Sequence, residues 1–132
     1  MKSALIYYTA RKTGYCETAL RSCTESIGVT IDKILASVTD TNLGDNINIC
    51  LAQYNTLFII GDVSRRDKAG VMPVLSCGLK DKNVIAKQII ADDSKGYLVE
   101  FENKNLVVLP DSPEKISKLV SVPLLNYLKT EK

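Results

Sequence analysis

The segment Leu57-Phe58-Ile59-Ile60-Gly61-Asp62-Val63-Ser64-Arg65-Arg66-Asp67 joins a short apolar run to a glycine, a hydroxyl and two arginines. In an open α/β sheet, ligands bind in the crevice beyond the carboxyl ends of the strands. The residue types suit an anion there. Gly61 allows close backbone approach. The Ser64 hydroxyl donates a hydrogen bond, and Arg65 or Arg66 can grip a phosphate through two N–H groups. Asp62 opposes a bare phosphate. Together with Asp67 it offers oxygen ligands for Mg²⁺, which would bridge carboxylate to anion.

Two other loops, Thr9–Gly14 and Pro110–Glu114, also follow apolar runs and precede helical patterns. A helix N-terminus carries unpaired N–H groups and a positive dipole end. If the three preceding strands are neighbours, their loops enclose one crevice. It would hold the hydroxyls of Thr9, Thr13, Ser64 and Ser112 and the charges of Arg11, Lys12, Arg65 and Arg66. That set suits a small phosphorylated molecule. Plainer readings stand beside it. Gly61 terminates a strand, Asp62 or Ser64 caps a turn, and the arginines and lysine are solvated charges. Ser112 and Pro113 start a helix, and Asp40 forms a turn or cap.

The chain has 132 residues, 45% of them hydrophobic, so residues 1–132 read as a single domain with a substantial core. The formal net charge is +2, with no broad pull toward nucleic acid or membrane. There is no histidine, which removes Ser-His-Asp and Cys-His mechanisms within this chain. Cys16, Cys23, Cys50 and Cys77 form no Cys-x-x-Cys pair, which argues against structural zinc. Cys16, Cys23 and Cys50 fall on apolar helix stripes and read as buried free thiols. The N-terminal apolar run is too short for a signal peptide. No segment reaches the ~18 apolar residues of a spanning helix. A cytoplasmic, reduced, soluble protein is expected.

The elements that would position these loops follow from periodicity. Ala4–Thr9 reads as a buried strand. A helix carries Cys16, Ala19, Leu20, Cys23 and Ile27 and stops at Gly28. Val29–Val38 is extended, anchored by Ile31, Ile34 and Val38. A second helix carries Ile47, Cys50, Leu51 and Tyr54, with Asp45 as its N-cap. Thr56–Ile60 is the next buried strand. Lys68–Leu79 contains a third helix with Val71, Val74 and Leu75 inward and Pro73 in its first turn. Asn83–Ala91 is a strand and Asp92–Gly96 a turn. Tyr97–Phe101 and Leu106–Leu109 form a hairpin. Ser112 caps the last helix with Pro113 at its first position, and Pro123 bends or splits it. The order predicts an α/β fold, a three-layer αβα sandwich with a mostly parallel sheet and a C-terminal hairpin.

Gly61-Asp62-Val63-Ser64-Arg65-Arg66-Asp67 resembles the Gly-Gly-x-Ser-x-Gly-Asp loop of molybdopterin-binding domains. Those domains occur in molybdenum-cofactor biosynthesis proteins and competence-damage-inducible proteins. Val38-Thr39-Asp40 resembles their Val-x-Asp segment, and Leu109-Pro110-Asp111-Ser112-Pro113 their Leu-Pro-Gly-Asn-Pro turn. Val122-Pro123-Leu124-Leu125 is similar to their closing segment. The resemblance runs in order from about Gly28 onward. It implies a three-layer α/β domain, often a trimer, whose loops bind molybdopterin or its adenylylated form. It places Gly61, Val63, Ser64 and Asp67 on the ligand loop, with Asp40, Pro110, Ser112 and Pro113 near it. A nucleotide is the alternative phosphorylated ligand.

Three family glycines are replaced by charged residues, namely Asp62, Arg66 and Asp111, which marks a remodelled loop. A non-enzymatic module for oligomerisation or ligand sensing is therefore an alternative. Ile6-Tyr7-Tyr8-Thr9-Ala10-Arg11-Lys12-Thr13-Gly14 also resembles the first strand and phosphate loop of flavodoxins. That second resemblance implies an FMN-binding domain, but it covers only the first quarter, and the chain has no tryptophan.

Overall fold

The computed structural model describes residues 1–62, 71–78 and 83–130. The elements are β1 (Lys2–Tyr8), α1 (Thr13–Thr24), β2 (Thr30–Ser37), α2 (Asp40–Gln53), β3 (Thr56–Gly61), α3 (Val71–Gly78), β4 (Ile85–Ala91), β5 (Ser94–Phe101), β6 (Lys104–Pro110), α4 (Pro113–Leu119) and α5 (Val122–Thr130). A 3₁₀ turn over Glu25–Ile27 extends α1 and ends at Gly28, whose φ of 79° only glycine adopts freely.

The strands form one sheet in the order β2-β1-β3-β6-β5-β4. β2, β1, β3 and β6 run parallel. β5 and β4 fold back antiparallel through two tight turns. The Glu102-Asn103 turn places both residues at positive φ, 49° and 63°, as a two-residue hairpin matched to strand twist requires.

Side chains alternate across a strand, so the central strands feed two cores. On one face Ala4, Ile6, Leu57, Ile59, Leu106 and Val108 pack with Leu43, Ile47 and Cys50 of α2 and with Val71 and Leu75 of α3. On the other, Leu5, Phe58, Ile60, Val107 and Leu109 meet Cys16 and Leu20 of α1, Ile116 and Leu119 of α4, and Leu125 and Leu128 of α5. This is the expected three-layer arrangement. β1 and β3 are buried on both faces, which is why they read as continuous apolar runs.

Several sequence expectations hold in detail. Ser112 caps α4, its hydroxyl accepting the Lys115 N–H at 3.4 Å, with Pro113 in the first turn. The last helix is split: Ser121 accepts the Leu124 N–H at 3.2 Å and starts α5, with Pro123 in its first turn. Pro73 sits in the first turn of α3. Val71 and Leu75 are buried, and Val74 is partly so.

Three expectations are corrected. Thr39, not Asp45, caps α2: its hydroxyl accepts the Asn42 N–H at 3.1 Å, and Asp45 lies inside the helix. Of the three anchors only Ile31 is buried, while Ile34 and Val38, the latter just past β2, are exposed. The β1–β2 register shifts between Ser3 and Ala4, so Ile31 pairs with Ser3 and Lys33 with Ala4. Burial still alternates along β2, with Ile31, Lys33, Leu35 and Ser37 less exposed than their neighbours, so Ile34 is among the exposed positions and Val38 lies past the end of this edge strand. Finally, Ser94-Lys95-Gly96 belongs to β5, and the turn is Asp92-Asp93 alone. Gly96 serves the sheet, since a Cβ there would lie 2.7 Å from the Val108 carbonyl oxygen.

Candidate functional site

Because β1, β3 and β6 are neighbours, their carboxyl ends bring three loops together. The register pairs Tyr7 with Ile60 and Gly61 with Pro110. Asp62 and the Pro110-Asp111-Ser112 turn therefore leave the sheet side by side, next to Thr9. Asp62, Thr9, Arg11 and Lys12 are exposed, and Pro110, Ser112 and Pro113 are partly exposed. Val63, Ser64, Arg65, Arg66 and Asp67 lie outside the described residues, so the paired Asp62–Asp67 arrangement does too. Asp40 begins α2, exposed, with its own Oδ1 accepting the Thr41 N–H at 2.9 Å.

Gly61 is fixed by packing. A Cβ on it would stand 2.9 Å from the Tyr8 carbonyl oxygen and 3.2 Å from Val71 Cγ2. The glycine lets β3 lie against β1 while α3 crosses above it. Thr9, the first residue past β1, takes a left-handed φ of 51°, unusual for a β-branched residue. Its N–H bonds the Ser37 carbonyl at 3.0 Å, and its hydroxyl donates to the Tyr8 carbonyl at 2.7 Å. This bend turns the chain out of the sheet and over toward β6.

The residue that sequence reasoning passed over as a contact is Asp111. Its Oδ2 accepts the Arg11 N–H at 2.7 Å, and its Oδ1 accepts the Lys12 N–H at 3.2 Å. The Cys16 thiol donates to the same Oδ1 at 3.5 Å. The N–H groups that open α1 thus hold a carboxylate of the chain itself, where a phosphate loop would hold a ligand. Burial, reinforced by Asp111, pushes the Cys16 thiol up to about 12. Cys16 and Cys50 are buried and Cys23 is partly buried, all three as free thiols. Burial raises the last two as well.

Just beneath this loop, Tyr7 donates its hydroxyl to the Thr13 carbonyl at 2.9 Å and meets Glu17 at 3.2 Å. Glu17 in turn receives Arg21 Nε at 3.0 Å. Burial and the adjacent Glu17 carboxylate push the Tyr7 hydroxyl far above its ordinary range. These contacts pin the start of α1 to β1. Among the described residues, no group of three or more His, Cys, Asp or Glu side chains is placed to hold a metal ion. A depression of about 210 Å³, lined by Asn83, Ile85, Glu100 and the Glu102-Asn103 turn, lies at the opposite end of β6. None of its lining residues comes from the three loops.

No family model and no curated protein matches the sequence. Solved structures do match. CinA from Thermoplasma acidophilum, described as of unknown function, superposes with a TM-score of 0.67 at 10% identity, covering 98% of this chain and 96% of that one. The chain shares its fold. The molybdopterin biosynthesis MoeA protein from Pyrococcus horikosii matches with a TM-score of 0.60 at 15% identity. This chain is covered over 99% of its length but spans only 36% of the MoeA chain. The CinA/MoeA-like fold is what the resemblance implied. The flavodoxin resemblance fares less well. A flavodoxin-like sheet runs 2-1-3-4-5, whereas here an antiparallel β4–β5–β6 arrangement follows β3, and Asp111 engages the β1–α1 loop. No described helix is long and apolar enough to cross a membrane.

Proposed function

We propose that this chain binds a small phosphorylated ligand, a phosphorylated pterin such as molybdopterin or a nucleotide, at the carboxyl ends of β3 and β6. The observation that carries this is the pairing of Gly61 with Pro110, which sets Gly61 and Asp62, the start of the ligand loop read from the sequence, beside the Pro110–Pro113 turn. The matched part of MoeA, a molybdopterin biosynthesis protein, has the same fold and adds support. Ser64 and backbone N–H groups hold the phosphate, and Arg65 or Arg66 neutralises it. Asp62, exposed at the mouth of the loop, and Asp67 are the oxygen donors that would hold Mg²⁺ against that phosphate. Asp111 already engages the N–H groups of Arg11 and Lys12, so the phosphate belongs to the β3 loop rather than the β1 loop.

The test is thermal unfolding with molybdopterin or ATP, each with and without Mg²⁺. A ligand at a hundredfold excess over its Kd adds about 2.7 kcal/mol of stability. Stabilisation that Ser64→Ala weakens supports the proposal. Mg²⁺-dependent stabilisation that Asp62→Ala abolishes supports the metal's place. Unchanged unfolding with both ligands overturns it.

A further inference from the structure

The sheet ends on one side at β4, a strand of unusual exposure. Of its seven residues, Ile85, Ala86, Lys87, Gln88 and Ile90 are exposed and the other two are partly so. Ile85 and Ile90 keep 59% and 60% of their surface open to solvent. Among the described residues no strand pairs its outer side.

Edge strands ordinarily carry devices that block pairing with another chain: proline, a bulge, or outward charges, lysine above all. β4 has no proline and no register break. Its one charge, Lys87, is turned onto its own sheet. Lys87 Nζ lies 3.2 Å from Glu100 Oε1 on β5 and 5.3 Å from the centre of the Tyr127 ring on α5. Tyr127 donates its hydroxyl to the other Glu100 oxygen at 2.6 Å, fixing the acceptor in place. The residue that would guard the edge is thereby neutralised.

The strand also matches itself. A two-residue turn closes on a hydrogen-bonded pair, here Ala91 and Ser94. By alternation, Ala86, Gln88 and Ile90 direct their N–H and C=O groups to the open side. An antiparallel partner strand centred on Gln88 engages all three. Across that two-fold axis Gln88 faces Gln88, Ala86 faces Ile90, and Lys87 faces Ile89, so no like charges oppose. Both exposed isoleucines gain apolar neighbours, Ile85 opposite Ala91 and Ile90 opposite Ala86. Such an isologous contact closes on itself as a dimer.

We propose that two copies of this chain associate through β4, paired antiparallel about Gln88 into one continuous twelve-stranded sheet. The occupant is a second copy because only this register satisfies the backbone, separates the two Lys87 side chains and covers both isoleucines together.

Sedimentation equilibrium of the full chain tests it. The expected species is a dimer, twice the 14.5 kDa chain mass. Gln88→Pro removes an outward N–H without touching the β4–β5 ladder, a place where an edge strand tolerates proline. It is expected to yield a folded monomer, with circular dichroism unchanged. Should Gln88→Pro disturb folding, Ile90→Lys reads the same interface from an exposed side chain and is likewise expected to be monomeric. A monomeric parent chain overturns the proposal. So does an oligomer, trimer included, that survives the folded variant.

Discussion

The Asp111 carboxylate and the Arg11 backbone N–H, a hundred residues apart in sequence, meet at 2.7 Å and tie the β6–α4 turn to the loop that opens α1. Lys12 shares the same carboxylate at 3.2 Å. Charge-assisted bonds to backbone donors are among the stronger ones, though this pair is solvent-exposed. Asp111→Ala is therefore expected to cost about 1–2 kcal/mol. Asp111→Asn should cost less, because its side-chain oxygen still accepts one N–H. Urea unfolding of the two variants checks the ranking. Equal stability of all three proteins would show that the tie contributes nothing.

Gly61 offers a sharper separation of packing from ligand approach. Gly61→Ala drives a Cβ toward the Tyr8 carbonyl and Val71, so about 1–3 kcal/mol should be lost even without ligand. Gly44 is the contrast. It lies inside α2 with nothing within 4 Å of an added Cβ, so Gly44→Ala should gain roughly 0.5–1 kcal/mol. Denaturation midpoints of the two variants, measured in ligand-free buffer, are expected to move in opposite directions.

The thiols predict a pH dependence. Cys16 is held protonated by burial first and by Asp111 second, up to about 12 against an ordinary 9.0. The folded chain thus keeps a proton that the unfolded chain releases. The sign follows: this contribution is fully present below pH 9 and is lost as pH rises toward about 12. Burial shifts Cys23, Cys50 and the Tyr7 hydroxyl the same way and adds to the loss. Stability measured across the alkaline range should fall. Replacing Cys16 by Ala should make that fall shallower. At pH 8 a thiol reagent should modify Cys16 and Cys50 only on unfolding.

Much of this arrangement is legible in the sequence for physical reasons. β1 and β3 are buried on both faces, so their apolar runs are continuous, and their loops can be located without coordinates. Ser112-Pro113 is a local capping signal that needs no tertiary context. The misreadings come from non-local causes. Ile34 and Val38 look like core residues, yet β2 is the outermost strand of the sheet and Val38 lies past its end, so both stay exposed. Gly96 looks like a turn residue, yet it is needed because the Val108 carbonyl approaches it. Asp45 reads as the cap in sequence, but the Thr39 hydroxyl takes the Asn42 N–H and starts the helix earlier. Asp111 was visible only as a charged residue in a turn where the resembling family has glycine. Its partners, Arg11 and Lys12, become neighbours only when β6 and β1 flank β3.

A phosphorylated ligand bound where β3 and β6 end must perturb the backbone at that end of the sheet. Backbone amide NMR during titration with molybdopterin or ATP and Mg²⁺ tests it most directly. The amides of Gly61, Asp62, Asp111 and Ser112 are expected to shift together with those of residues 63–67. The amides of Glu102 and Asn103, at the other end of β6, should stay still. Shifts confined to the Glu102-Asn103 end, or none at all, would contradict it.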